Sequence, residues 1–216
     1  MSFQANEQTV TSVAEFVDAL RADAPGYNID LEAEDLRLLG AFYDIVMAWN
    51  KRLHLVAPCS PVEFANRHVL ESLLALPYIT RGAHVADLGS GAGLPIIPCS
   101  IVRPDLHATL FESSPKKAVF LREALRRVER HRRGVVIAER FETASTPKAD
   151  FITCRALDRL PKMFPKIMAW APVRSTFLLF GGHALREQIE ALQIIYHITH
   201  IPNSEGRFIF VVKRDA

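Results

Sequence analysis

The sequence predicts an α/β protein: a seven-stranded, mostly parallel sheet with an antiparallel C-terminal hairpin, preceded by an N-terminal helical extension. Three observations carry that prediction. From residue 83 onward, short apolar runs rich in β-branched residues alternate with helical stretches, the pattern of βαβ units whose sheet is covered on both faces. Before residue 81, apolar residues recur only at three- and four-residue spacing, the period of amphipathic helices. The last two apolar runs follow each other with no helix between them, as in a hairpin at a sheet edge.

The elements follow in order. SVAEFVDALRADA, LEAEDLRLLGAFYDIVMAWNKRL and SPVEFANRHVLESLLALPYI read as three helices. Pro25-Gly26 separates the first two, and Ser60-Pro61 supplies an N-cap with proline at the first helical position. Pro77 and Thr80-Arg81-Gly82 close this extension, placing its boundary near residue 80 and the sheet domain in 81–216. The strands are AHVADL, HATLFE, GVVIAE, ADFITC, STFLLF, IIYHITHI and RFIFVVK. PKKAVFLREALRRV, RLPKMFPKIMAW and a stretch near 184–193 are the clearest helices among them.

Composition narrows the function classes. The 216 residues are 49% hydrophobic and 23% charged, enough to bury an ordinary core. No apolar run approaches the ~20 residues of a membrane span, and MSFQANEQTVTSV has neither a basic nor an apolar leader segment, so a cytoplasmic protein is expected. Cys59, Cys99 and Cys154 form no CxxC pair, and the eight histidines show no ligand spacing; reduced thiols and no metal are expected. The net charge of +2 hides an asymmetry. Residues 1–48 carry nine acids against two bases, whereas residues 116–133 carry eight bases against Glu123 and Glu129. The basic segment is either a surface for a polyanion or a solvated helix face.

The main chemical signal is VADLGSGAGLP at 85–95. A strand ending in Asp87 runs into Gly89, Gly91 and Gly93, whose missing side chains let a ligand approach the backbone at the carboxyl end of the first strand. The spacing is one residue shorter than the dinucleotide GxGxxG, and no GKS or GKT follows, which excludes a P-loop and counts against a nicotinamide enzyme. An acid directly before the glycines suits a ligand carrying a cation better than a pyrophosphate. S-adenosylmethionine, with its sulfonium and ammonium, has that chemistry. The second strand ends in Glu112, where a carboxylate can accept both hydroxyls of an adenosine ribose. It could instead serve only the helix that Ser114 caps.

Several strings together resemble the RsmG family, also called GidB: AWNKRLHL (48–55), RHVLESL (67–73), DLGSGAGLPIIPCSIVRPD (87–105), Glu112-Ser113 with Lys116-Lys117 and the following Phe120-Leu121, RFE (140–142) and CRAL (154–157). The resemblance covers roughly residues 40–160. It implies a Rossmann-like class I S-adenosylmethionine-dependent methyltransferase acting on N7 of a guanine in 16S ribosomal RNA, a soluble monomer whose partner is that RNA or the small ribosomal subunit. Carried over by position, it places methionine and backbone contacts at Gly89 and Leu94, adenine-side contacts at Phe141 and Glu142, and a family arginine at Arg155. Asp87, Gly91 and Glu112 complete the expected cofactor set. From the residues alone, Phe141 reads as core, and His68 either lines the target-base entrance or packs between helices. The chain departs from the family at His54-Leu55-Val56, where NLT is usual, at Ile96, where a small residue is usual, and at Phe180, where a lysine precedes the glycine. The last departure leaves open a methyltransferase for a small molecule or protein, or a non-catalytic RNA-binding relative. A cysteine nucleophile is disfavoured because Ala57-Pro58-Cys59 precedes the glycine loop rather than following the fourth strand. Guanine N7 is an unprotonated lone pair, so no catalytic base is expected.

Overall fold

The computed structural model describes residues 2–155 and 160–213, with side chains from residue 11 onward. Two of the four residues of the CRAL string, Ala156 and Leu157, lie outside the described residues. The chain builds one seven-stranded sheet in the order β3-β2-β1-β4-β5-β7-β6. The strands are β1 (His84–Leu88), β2 (His107–Phe111), β3 (Gly134–Ile137), β4 (Phe151–Arg155), β5 (Thr176–Gly181), β6 (Tyr196–His200) and β7 (Phe208–Lys213). The first five pair in parallel; β7 runs antiparallel to β5 and to β6. The hairpin is thus present, and its second strand, not its first, joins the sheet.

Burial on both faces explains the continuous apolar strands. Val85, Ala108, Leu110, Leu178 and Ile209 enter one core, while Ala86, Leu88, Phe111, Leu179 and Phe210 enter the other, the period of two that a pleated strand imposes. Helices α5 (Ile96–Val102) and α6 (Pro115–Arg127) cover the first face through Ile97, Ile101, Phe120 and Leu121. Helices α7 (Leu160–Trp170) and α8 (His183–Ala191) cover the second through Phe164, Ile167, Leu185 and Ile189.

The N-terminal helices α1 (Ser2–Asp23) and α2 (Ala33–Leu53) do not form a separate core. Phe16, Leu39, Phe42 and Val46 belong to the same buried cluster as α5 and α6, and α2 packs on both of those helices. Phe16, Tyr43 and Phe64 stack or meet edge-on, with centroids 4.5–5.9 Å apart, and tie α1 and α2 to the third segment. That third segment departs from the single helix the periodicity predicts. It starts as α3 (Pro61–Phe64), capped by Ser60 Oγ accepting from Glu63 N at 3.1 Å, passes through a π turn (Ala65–Leu70) and ends as α4 (Glu71–Leu73). One inserted residue in a helix barely disturbs an apolar periodicity, so the turn leaves no sequence signal; it does free carbonyls from the regular ladder. No helix among the described residues is long and apolar enough to cross a membrane.

Candidate functional site at the carboxyl ends of the first strands

In this topology β1 lies between β2 and β4, so the chain reverses its winding there, the point at which open α/β sheets hold ligands beyond the carboxyl ends of their strands. The glycine loop sits over that point. Gly89, Gly91 and Gly93 have φ of 69°, 51° and 81°, left-handed values that a side chain resists. Gly89 and Gly93 serve the turn and its packing: a Cβ on Gly93 would sit 2.4 Å from Ile97 Cδ1. At Gly91 only the Gly89 carbonyl lies nearby, at 3.6 Å, so the space beside it is open to a ligand. The amides of Gly89 and Ser90 both donate to the Phe111 carbonyl, at 2.9 and 3.0 Å, lashing the loop to the end of β2.

Glu112 holds this loop to the next helix. One carboxylate oxygen accepts from Gly91 N at 2.9 Å, the other from Ser114 N at 2.7 Å. The helix reading of Glu112 describes part of it, since it supports the start of α6; it also reaches the glycine loop. Ser114 caps α6, as its position before Pro115 predicts.

Asp87 is wholly buried on β1. One oxygen accepts from Thr153 Oγ1 at 2.7 Å, and the other, Oδ2, has no partner in the structure. Burial pushes its pKa up to about 7, with Ser90 and Thr153 pulling back. Sequence reasoning missed Thr153, although its place opposite Asp87 in the β1–β4 register is a readable signal once the strands are aligned.

The remaining expected residues spread out. Leu94 is buried just beyond the loop. Phe141 is buried with its ring edge-on to Trp170 at 5.5 Å, and Trp170 in turn meets Phe111 at 5.2 Å. This aromatic cluster places Phe141 at the edge of the second core; Trp170, which anchors it by donating from Nε1 to the Ala144 carbonyl at 3.1 Å, went unread in the sequence. Glu142 is exposed.

Arg155 ends β4 as expected, but its guanidinium is engaged by protein. It donates to the carbonyls of Arg67 and His68 in the π turn, to Ser72 Oγ at 2.9 Å and to Glu71 at 3.2 Å. Glu71 also pairs with Arg207 at 2.8 Å, from the loop before β7. Burial raises the pKa of Glu71, with Arg155 and Arg207 opposing, and pulls that of Arg155 down to about 10. The Arg155 guanidinium lies 5.5 Å from the ring centre of Phe180. The position where a lysine was expected thus carries an aromatic wall for this arginine instead. His68 packs against Phe64 at 5.0 Å, and burial, with Arg155 and Arg67 adding, drives its pKa down to about 4, so the imidazole is neutral at physiological pH. Ile96 is fully buried at the start of α5, and His54 closes α2 in a left-handed conformation.

The basic segment 116–133 is divided by topology. Because α6 follows β2, Lys116 and Lys117 stand at the carboxyl end with the site, whereas Arg126 to Arg133 stand at the opposite end. Arg130 closes α5 by donating to the carbonyls of Ser100 and Ile101, at 2.7 and 3.0 Å; Arg127 meets Asp44 at 3.4 Å. The segment therefore presents no single face beside the site.

A family model described as GidB, rRNA small subunit methyltransferase G, matches residues 35–209. The Ribosomal RNA small subunit methyltransferase G of Xanthomonas campestris pv. campestris (strain B100) is 38% identical over 192 residues, covering 86% of this chain and 90% of that protein. The protein of the same name from Xanthomonas oryzae pv. oryzae (strain KACC10331 / KXO85) is 43% identical over 192 residues, covering 80% and 83%. Among solved structures, an RNA methyltransferase from Salinibacter ruber in complex with S-adenosyl-L-homocysteine aligns with a TM-score of 0.54 and 16% identity, covering 73% of this chain and 93% of that one. The mitomycin 7-O-methyltransferase MmcR aligns with a TM-score of 0.59 and 15% identity, covering 80% and 60%. At such identities the two structures share the fold alone.

Proposed function

The chain belongs to the GidB family of rRNA small subunit methyltransferases G, and from that premise we propose that it transfers the methyl group of S-adenosylmethionine to N7 of a guanine in 16S ribosomal RNA. The observation that carries the reading is the cradle of Gly91, Glu112 and Asp87 at the carboxyl ends of β1 and β2. Each Glu112 oxygen spends one lone pair on a backbone N–H and keeps another, which suits the two hydroxyls of a ribose. The unpartnered oxygen of Asp87 suits a cationic ligand. These residues fit S-adenosylmethionine, which when bound supplies an electrophilic methyl on sulfonium.

What the chain itself does is align and exclude water. N7 of guanine attacks through a free lone pair, so no side chain removes a proton, and rate comes from holding the base in line in a dry crevice. Leu94 and the loop backbone serve the methionine end, while Phe141 and Glu142 stand on the adenine side. Arg155 positions the crevice wall through Phe180 and the π turn. We take residues 1–80 as the helical extension of a methyltransferase domain spanning 81–216, in a cytoplasmic monomer. The test is transfer of labelled methyl to small subunits lacking the modification, with digestion to nucleosides; label in N7-methylguanosine supports the reading. The Phe180 departure favours one second reading, a different methyl acceptor. Cofactor binding with no label in that RNA would select it.

Asp87 gives a pH prediction. Its folded pKa of about 7 lies above the ordinary carboxylate value. The native state therefore holds a proton that the unfolded chain has lost, and this group's contribution to stability declines as pH rises from about 4 to 7. A cation beside Asp87 favours the ionised form, so cofactor affinity is expected to rise with pH through that window with proton release. Asp87→Asn is expected to flatten the rise and to lose less thermal stability than the wild type between pH 5 and 8. Calorimetric affinity profiles of the same shape in both proteins would remove Asp87 from the cofactor site.

A further inference from the structure

The end of the sheet opposite the site carries a row of basic residues that the proposed reaction does not use. In spatial order across the sheet, β3 is preceded by Arg132 and Arg133, β2 starts at His107, β1 starts at His84, and the approach to β4 holds Lys148. Arg174 precedes β5, and Lys213, in register with Thr176, ends β7 at the same side. Six neighbouring strands out of seven thus each place a basic or protonatable side chain on one rim. Adjacent strands lie ~4.8 Å apart, so the row runs about 24 Å.

The row is continuous where the structure shows contacts. Arg133 Nη1 lies 2.9 Å from His107 Nε2, and the rings of His107 and His84 stack with centroids 4.6 Å apart at 14°. Lys148 is near enough to His84 to lower its basicity, after burial as the larger cause. Two carboxylates stand on the same rim and one beside it: Asp105 grips Arg103 at 2.7 Å and the Gly82 amide, Asp150 accepts from the backbone N of His84 at 2.8 Å, and Glu190, beside β6, takes Arg186 and Tyr196. Arg132, Lys148 and Lys213 are exposed, and among the described residues their side chains make no hydrogen bond or ion pair.

We propose that this rim binds the phosphate backbone of RNA, as a second contact surface for the same partner whose guanine enters at the other end of the sheet. The proposal rests on the rRNA reading above. Five-residue strands separate the two ends by about 16 Å, so one short single strand in the crevice does not reach the rim. A folded RNA or an assembled particle does. Phosphate contacts of this kind supply salt-dependent affinity and register, not base choice.

The experiment measures binding of unmodified small ribosomal subunits at several salt concentrations by the full-length wild type and by the triple variant Lys148→Gln, Lys213→Gln, Arg132→Gln. Calorimetry with S-adenosylmethionine alone, expected to be unchanged, verifies that the variant is folded with an intact site. The expected result is a log–log salt slope shallower by about 2 to 3, at roughly 0.7 to 0.9 for each of three lost phosphate contacts. A slope equal to the wild type's overturns the rim while leaving the methyltransferase reading in place. A wild type that does not bind the subunit at any salt concentration overturns the rRNA reading and the rim with it.

Discussion

Glu112→Ala is expected to weaken S-adenosylmethionine binding by roughly 10- to 150-fold, the equivalent of the ~1.5–3 kcal/mol that a hydrogen bond to a charged group contributes. The structure sharpens the reason. Glu112 is itself held in place by Gly91 N and Ser114 N, so the carboxylate meets a ligand in a fixed orientation with two acceptor sites still free. Truncation therefore removes the proposed ribose acceptor and also releases the glycine loop from α6. Glu112→Gln separates these two effects. Its amide keeps one acceptor oxygen but turns an N–H₂ toward one of the two backbone donors, so the loop is strained while side-chain volume is preserved. Affinity is expected to fall for Gln nearly as far as for Ala, with a smaller change in melting temperature. Titration calorimetry giving wild-type affinity for both variants would take Glu112 out of the cofactor site and leave it as support for α6 alone.

The contrast between Glu112 and Arg155 shows what a chain discloses before it is folded. Glu112 and Asp87 stand at the tips of consecutive strands, and the strands are legible because each is a short run rich in apolar and β-branched residues flanked by a turn or helix signal. The parallel order follows from the alternation with helices, so the carboxyl-end crevice is readable as well. Arg155 is legible as a strand terminus, but its partners are not. Glu71 lies 84 residues earlier and Arg207 is 136 residues from Glu71, and no local pattern links such positions. The same holds for the placement of β7 between β5 and β6, which depends on which strand of a hairpin meets the sheet, and for the two ends of the basic segment, which a helix 13 residues long carries apart. Phe141 illustrates a third case. A buried ring against Trp170 and a ring beside a purine have the same sequence signature, and only packing distinguishes them.

Glu71 is where the long-range contacts converge, and its removal is expected to be the most destabilising single change. Its carboxylate, with only 3% of the side chain exposed, lies between Arg155 at 3.2 Å and Arg207 at 2.8 Å. From the start of α4, next to the π turn, it joins the N-terminal extension to the tip of β4 and to the loop before β7. Glu71→Leu would leave Arg155, whose own side chain is 13% exposed, as a buried cation without its counter-charge. Removing one partner of such a pair costs about 3–5 kcal/mol, which for a chain of this size lowers the melting temperature by roughly 6–20 °C. Arg155 cannot relieve the cost by losing its proton, because a guanidinium is not deprotonated in a folded protein. Its bonds to the carbonyls of Arg67 and His68 do not involve Glu71, so the loss is expected to fall on the missing charge rather than on the π turn. Adding Arg155→Met to Glu71→Leu is therefore expected to restore part of the lost stability, because no unpaired charge is then buried. Thermal melts would decide this: a Glu71→Leu protein melting within about 2 °C of the wild type, or a double variant weaker than the sum of the two single changes, would show that the carboxylate does not hold these elements together.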